Sequence, residues 1–493
     1  MVHRILGINL AQLKKLIITY IKIIIIKMSS IISTIEKKQD WQKKLNDPLI
    51  SEKWSKELRK QGLSSDIIEL AFNLMLNNKH NNWKVDKWPI ELEIPMHLIN
   101  NKACSCECLI CSKNEYFEDH EHYNDNKKYD KSNDEAKEAK ELYKSKSHIK
   151  CNCKSHTLDK IDTFLNKYVT SCNLFDDKIK NELFELVNKF QSSKDIDYHP
   201  NSNNQVIDIV HPSMYCYIKG ITKSKQIDIK VNKETFFQWL PCEVTTMDDK
   251  STFNSYINNL PRKENAELYE TIGSIFNKFK PKFETLLDTM QQSNIIKQSI
   301  KLDKCQIIVK LSNTVVTADN PNFNGGSWHL EGLPNEHIVA TGIYYYKMEN
   351  ISENYLNFRT KVNEYYDYPQ DCHKYVNVHY GLDIQDREVQ NIIDFTPVET
   401  KEDLCLIFPN FLQHKVSDFK LIDPTKDGTR NILCFFLIDP SKSILSTKDV
   451  RPQYKKLDFT EAKLYEELLM YERKAEVTNQ NQKYEEMYSL CEH

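Results

Sequence analysis

Apolar residues fall at helical spacing in several separate stretches. Ile67, Ile68, Leu70, Ala71 and Leu74 share one face, which predicts a helix over residues 65–76. The same spacing predicts two helices across residues 158–190. The first carries Ile161, Phe164, Leu165 and Tyr168, the second Ile179, Leu183, Leu186, Val187 and Phe190, with a break around Asn173. Residues 268–290 are again helical, and Pro281 marks a break or the first turn of a second helix. An amphipathic helix over residues 459–476 closes the pattern, followed by a fraying tail.

Strand character lies between these helices. Residues 83–95 alternate apolar and polar side chains and are bounded by prolines. Residues 205–246 carry Val206, Ile207, Ile209 and Val210, then Ile227, Ile229, Val231, Phe236 and Phe237. Runs rich in β-formers follow at 305–311, 337–346, 404–408, 415–422 and 430–438, with turn chemistry at residues 423–428. Residues 347–400 are polar and irregular, which predicts a long excursion from the sheet. Together the pattern predicts an α+β protein with four regions. They are a poorly structured leader (1–40), a mixed, helix-rich N-terminal region (41–300), a β core (301–450) with the insertion 347–400, and a C-terminal helix and tail (451–493).

Composition refines this. At 493 residues, 40% apolar and 11% aromatic, the chain can bury a substantial core. Lys+Arg 67 against Asp+Glu 70 leaves a net charge of −3, without the basic surplus of a nucleic-acid binder, so no nucleic-acid partner is expected. Residues 1–27 carry no acidic residue, and Lys22 interrupts their apolar runs, leaving them short of a membrane span. Two readings stand for this segment: a leader, with Met28 rather than Met1 starting the folded protein, or a mitochondrial-type presequence.

The fourteen cysteines do not read as a secreted disulfide scaffold. Cys216, Cys305, Cys405 and Cys434 sit inside apolar segments, as reduced, buried residues do, and a cytoplasmic setting follows. Cys104, Cys106, Cys108, Cys111, Cys151 and Cys153 flank a charged, weakly hydrophobic insert within residues 104–156. They form either a structural zinc site or a metal-free cysteine loop; their C-x-C pairs are tighter than usual zinc-finger spacing.

The clearest candidate chemistry lies in residues 325–332, Gly-Gly-Ser-Trp-His-Leu-Glu-Gly. In an extended strand His329 and Glu331 leave the same face and can hold one divalent metal from two directions. Of the fifteen histidines, His414 stands out as a third ligand because it sits where a strand resumes after a turn. Two imidazoles and one carboxylate on one face are the ligand set of non-haem Fe(II) oxygenases. Arg430 opens a strand expected to form a hairpin with the one begun by His414, which would place it beside the metal. Its planar fork suits the free carboxylate of a diacid cosubstrate that chelates iron at its other end. Within the run Tyr344, Tyr345, Tyr346, alternation forbids one common face, and Tyr345 is the pocket candidate.

His329-x-Glu331, His414 and Arg430 resemble the His-x-Asp/Glu…His…Arg pattern of the Fe(II)- and 2-oxoglutarate-dependent dioxygenases, with glutamate where aspartate is commoner. The resemblance implies a double-stranded β-helix (jelly-roll) core, iron on the first three residues and the 2-oxoglutarate C5 carboxylate on Arg430. It also implies oxidative decarboxylation of 2-oxoglutarate coupled to hydroxylation of an organic substrate. Segments 83–95, 239–242, 255–260, 308–313, 325–346 and 408–440 further resemble an uncharacterised, mainly fungal family of unknown function. The alternatives are a metal-binding jelly-roll module without turnover, or a scaffold that uses the cysteine loop as its interaction surface.

Overall fold

The computed structural model describes residues 164–219, 221–225, 237–297, 301–362 and 388–490, parts of 31–72, and the short stretches 93–94, 382 and 384–385. Residues 1–30 of the leader, the cysteine loop with its proposed zinc, most of strand 83–95 and residues 227–236 lie outside the described residues, whereas Ile31 and Ile35 at the end of the leader are buried.

In chain order the strands of the two main sheets begin with β1 (Glu93–Ile94), β2 (Thr170–Asn173), β3 (Val206–Val210), β4 (Cys242–Met247) and β5 (Lys250–Phe253). They continue with β6 (Lys304–Val316), β7 (Ile338–Glu349), β8 (Asn354–Val362), β9 (Ile392–Asp394) and β10 (Val398–Thr400). The last three are β11 (Leu404–Pro409), β12 (Gln413–Val416) and β13 (Gly428–Ile438). The helices used below are α1 (Pro48–Lys60), α2 (Asp177–Ser192), α3 (Ala266–Gln292) and α4 (Phe459–Tyr484).

Two sheets carry the core. The larger runs β2-β11-β7-β13-β6-β4-β5, with β3 also on β6, and every pairing in it is antiparallel. It draws strands from both sides of residue 300. The smaller sheet gathers β1, β9, β10 and β12 around β8. The central strands read as unbroken apolar runs because both their faces are covered: all six residues of β11 are buried.

Residues directly opposite on neighbouring strands share a face. The registers Lys310↔Cys434, Ser312↔Ile432, Thr314↔Arg430 and Tyr345↔Ile432 therefore put Lys310, Arg430, Cys434 and Tyr345 on one face of the larger sheet. Phe408 is on that face too, opposite Thr341, and its ring meets Phe358 and His414 of the smaller sheet at 5.0 and 4.9 Å. This is the inner face of a two-sheet sandwich. The outer face is covered by α3, whose Phe276 and Phe279 both lie 5.3 Å from Phe435. Each such ring contributes roughly 1.5–3 kcal/mol on burial. At Gly342 a side chain would strike the Phe279 and Phe283 rings at 2.7–2.9 Å, so glycine lets the helix lie directly on the sheet.

Several expectations are corrected. Residues 266–292 form one helix straight through Pro281, because Phe276 and Phe279 before it and Phe283, Leu286 and Leu287 after it bury against the same sheet. The break near Asn173 is strand β2, an edge partner of β11. Residues 347–400 are no plain excursion: β7 runs on to Glu349, and Asn354–Val362 is the central strand of the smaller sheet. Its Leu356 and Phe358 alternate inward, but its polar residues mask the pattern. The expected hairpin between the strands of His414 and Arg430 does not form, since β12 pairs β8 whereas β13 pairs β7 and β6.

Candidate metal centre

Residues 326–329 lie along the free edge of β12. The Gly326 N–H donates to the Val416 carbonyl at 3.0 Å. His329 and His414 exchange both backbone bonds, at 3.2 and 3.1 Å, and their rings stand 4.4 Å apart. Gly325 enters this pairing at φ +78°, and a Cβ there would sit 2.8 Å from the Val416 carbonyl oxygen, so the segment needs glycine to approach β12. The ladder thus brings two imidazoles together, and the i, i+2 relation adds the carboxylate. Glu331 Oε1 lies 3.3 Å from His414 Nε2 and 3.8 Å from His329 Nε2, and one ligand atom from each residue falls within 4.8 Å of the others.

The charge states suit a cation. Burial alone would push the Glu331 carboxyl up, but the His414 hydrogen bond and the neighbouring His329 outweigh it and hold it at about 2. Burial, helped by His414 and opposed by Glu331, pushes His329 down to about 4. At neutral pH the set is one carboxylate with a neutral His329. The Ser327 carbonyl, 2.7 Å from His329 Nδ1, can only accept, so Nδ1 carries the ring proton and Nε2 offers its lone pair toward Glu331.

Asn410, which the sequence reading missed, fixes the backbone of Glu331. Its side-chain oxygen accepts from the Glu331 N–H at 2.9 Å, and its amide donates to the carbonyls of Glu331 and Ile338 at 3.0 and 3.1 Å. An asparagine just after a strand gives no signal of this in one dimension.

Arg430 and Tyr345 lie on the facing sheet. The guanidinium sits 4.8 Å from the centre of the Tyr345 ring, and both residues are buried. Burial pushes the Tyr345 hydroxyl up to about 12 against the pull of Arg430. Tyr344 faces the other way, 4.6 Å from Phe175 under α3, as alternation requires. Cys434 shares the sheet face of Lys310 and Arg430. Burial pushes its thiol up to about 12, Lys310 and Arg430 pull it down, and Glu331 pushes it up. Among the described residues Arg430 has no carboxylate within ion-pair range, and its Nε is buried without a hydrogen-bond acceptor. Lys310 adds a cation to the same face that the sequence reading did not single out.

The comparisons with known proteins bear on the whole of this arrangement. A family model described as protein of unknown function (DUF4246) matches residues 126–305 and 288–461. The chain belongs to the DUF4246 family. The match spans the larger sheet and all the site residues named above. No curated protein matches this DUF4246 chain.

Among solved structures, the chain is similar to one described as Fe(II)/(alpha)ketoglutarate-dependent dioxygenase TqaL, at 12% identity over 59% of this chain and 90% of that one, with a TM-score of 0.29. It is also similar to IDO from Bacillus thuringiensis (11% identity, 57% and 97% covered, TM-score 0.25). A prolyl-4-hydroxylase from Pseudomonas putida is a third (7% identity, 56% and 96% covered, TM-score 0.24).

Proposed function

We propose that this DUF4246 protein is an Fe(II)- and 2-oxoglutarate-dependent dioxygenase of the hydroxylase type, built on a double-stranded β-helix core within residues 301–450 and acting on an organic substrate. The observation that carries the reading is the pairing of two features across the sandwich. A two-histidine, one-carboxylate cluster stands on one side, and on the other a buried guanidinium without a counter-ion among the described residues. A buried charge without a partner is costly, so the pocket suits an anion at Arg430. A diacid that reaches from the metal to Arg430 satisfies both ends.

His329, Glu331 and His414 would hold the iron, leaving open coordination positions for cosubstrate. Bound there, iron and 2-oxoglutarate supply the oxidising chemistry, in which O2 is consumed, 2-oxoglutarate is decarboxylated to succinate and the substrate is hydroxylated. The chain's own part is binding and orientation. Glu331 supplies negative charge, the Ser327 carbonyl fixes the His329 tautomer, and Asn410 fixes the backbone of Glu331. Arg430, braced by the Tyr345 ring, orients the distal carboxylate, and the aromatic wall of Phe358 and Phe408 excludes water. The buried free thiols Cys216, Cys305, Cys405 and Cys434 fit a reducing, intracellular setting. Among the described residues no helix is long and apolar enough to cross a membrane.

Anaerobic reconstitution with Fe(II), followed by 2-oxoglutarate binding and succinate formation in air, tests the reading. His414→Ala is expected to lose iron and succinate formation together. Iron bound without any 2-oxoglutarate binding or turnover would favour the non-catalytic metal module. Failure to retain iron would end the metal reading as well.

A further inference from the structure

A second cluster of metal-binding side chains lies apart from the first. His199 precedes β3, Asp208 lies on it and His211 follows it, and one ligand atom from each falls within 4.8 Å of the others. His199 Nδ1 is 2.7 Å from Asp208 Oδ2, and His211 Nε2 is 4.0 Å from the same oxygen. Around a tetrahedral zinc with bonds of about 2.0–2.1 Å, neighbouring ligand atoms stand roughly 3.3 Å apart, between these two values.

Among the described residues no ammonium or guanidinium lies within ion-pair range of Asp208, although the charge of Lys310 acts on it at longer range. Asp197, Asp208 and Glu466 are all buried, at 1%, 0% and 0% exposure. Lys463 on α4 serves two of them, contacting Asp197 and standing 2.5 Å from Glu466. The other nearby ammonium, Lys194, donates to the carbonyls of Ile209 and Asp208 at 2.5 and 3.4 Å rather than to a carboxylate. Among the described residues Asp208 Oδ2 therefore meets only imidazole, and Oδ1 is buried with no hydrogen-bond partner. A buried carboxylate oxygen with no donor costs free energy that a bound cation would offset.

We propose that His199, Asp208 and His211 form a second divalent-metal site of the zinc class, separate from the His329–Glu331–His414 centre and independent of its function. Two imidazoles and a carboxylate are borderline ligands that suit zinc. His199, 25% exposed at its side chain, gives the ion a way in. The Ser213 N–H now donates to His211 Nδ1 at 3.2 Å, which places the ring proton on Nε2. Metal binding through Nε2 requires that proton to move to Nδ1, which breaks the Ser213 bond; Glu466 Oε1 lies 3.8 Å from Nδ1. Carboxylates commonly stand behind metal-bound histidines, and Glu466 lies on that side of the ring.

The test uses the full chain carrying His329→Ala and His414→Ala, which removes the first centre. After dialysis against zinc this protein is expected to keep one equivalent of metal, to show a visible Co(II) spectrum of low coordination number, and to melt higher with zinc than without. Adding the partly exposed His199→Ala should abolish all three. Should the double variant not fold, the unmodified chain replaces it, with two equivalents expected and one lost on His199→Ala. No zinc retained beyond the first centre, or retention indifferent to His199→Ala, overturns the proposal.

Discussion

Arg430 is the residue whose cost and use are easiest to separate. It is buried on a sheet face with no carboxylate in ion-pair range among the described residues, so without ligand it destabilises the fold. Arg430→Met is expected to raise the thermal midpoint of the ligand-free protein. It should also weaken 2-oxoglutarate binding by roughly 10- to 150-fold, the worth of a charged hydrogen bond of about 1.5–3 kcal/mol. A fall in both quantities would mean that Arg430 has a structural partner. His329 gives a pH prediction. Its folded pKa is depressed to about 4 from 6.5, so the unfolded chain binds its proton first as pH falls. Its stability contribution is therefore full above pH 6.5 and is lost as pH drops through 4. Glu331, depressed to about 2 from 4.5, extends the loss below that window. Denaturant titrations of the metal-free protein between pH 7 and pH 4 should show this slope, and His329→Gln should flatten it.

At the scale of elements, the site depends on how closely α3 and the larger sheet pack. Gly342 sits beneath the fully buried rings of Phe279 and Phe283. Gly342→Ala is expected to cost about 1–3 kcal/mol by overpacking, read as a lower denaturant midpoint with an unchanged slope. A neutral result would show that the helix can lift from the sheet. The five β runs at 305–311, 337–346, 404–408, 415–422 and 430–438 were legible because apolar β-formers cluster there. Four became long strands, and the fifth split into β12 and the short strand Phe419–Lys420. Strand β8 was not legible because it buries Arg359, Thr360 and Lys361. Their partners come from distant elements: Arg359 donates to Gln413 Oε1 at 2.7 Å and Lys361 to the Tyr488 hydroxyl at 2.7 Å.

Across the whole molecule, α4 binds together segments far apart in sequence. Glu336, fully buried just after the ligand segment, accepts the Trp239 and Leu333 N–H groups at 2.6 and 2.8 Å and pairs with Arg473 of α4. The Arg473 guanidinium lies 3.5 Å from the centre of the Trp239 ring. Further along, the Asn481 amide donates to the Trp328 carbonyl at 3.2 Å, beside His329. Glu336→Ala leaves Arg473 buried without its carboxylate and should cost about 3–5 kcal/mol of stability. Replacing both with apolar residues of similar volume should recover much of that loss. If the single change costs no more than a surface substitution, the helix is not anchored through this pair.

By itself the sequence determined the local order of the chain. Branched and aromatic runs specify strands, helical spacing specifies helices, and the i, i+2 relation puts His329 and Glu331 on one face, because these depend only on backbone periodicity. It also singled out His414, Arg430 and Tyr345. What tertiary structure decided is which of these residues meet, and from where. His414 joins His329 through an edge pairing of segments 85 residues apart, and Arg430 lies on the inner face of the other sheet instead of in a hairpin with His414. Asn410, Lys310 and the His199–Asp208–His211 cluster were likewise invisible in one dimension. Their chemistry arises from strand register and the stacking of two sheets, which no local pattern encodes.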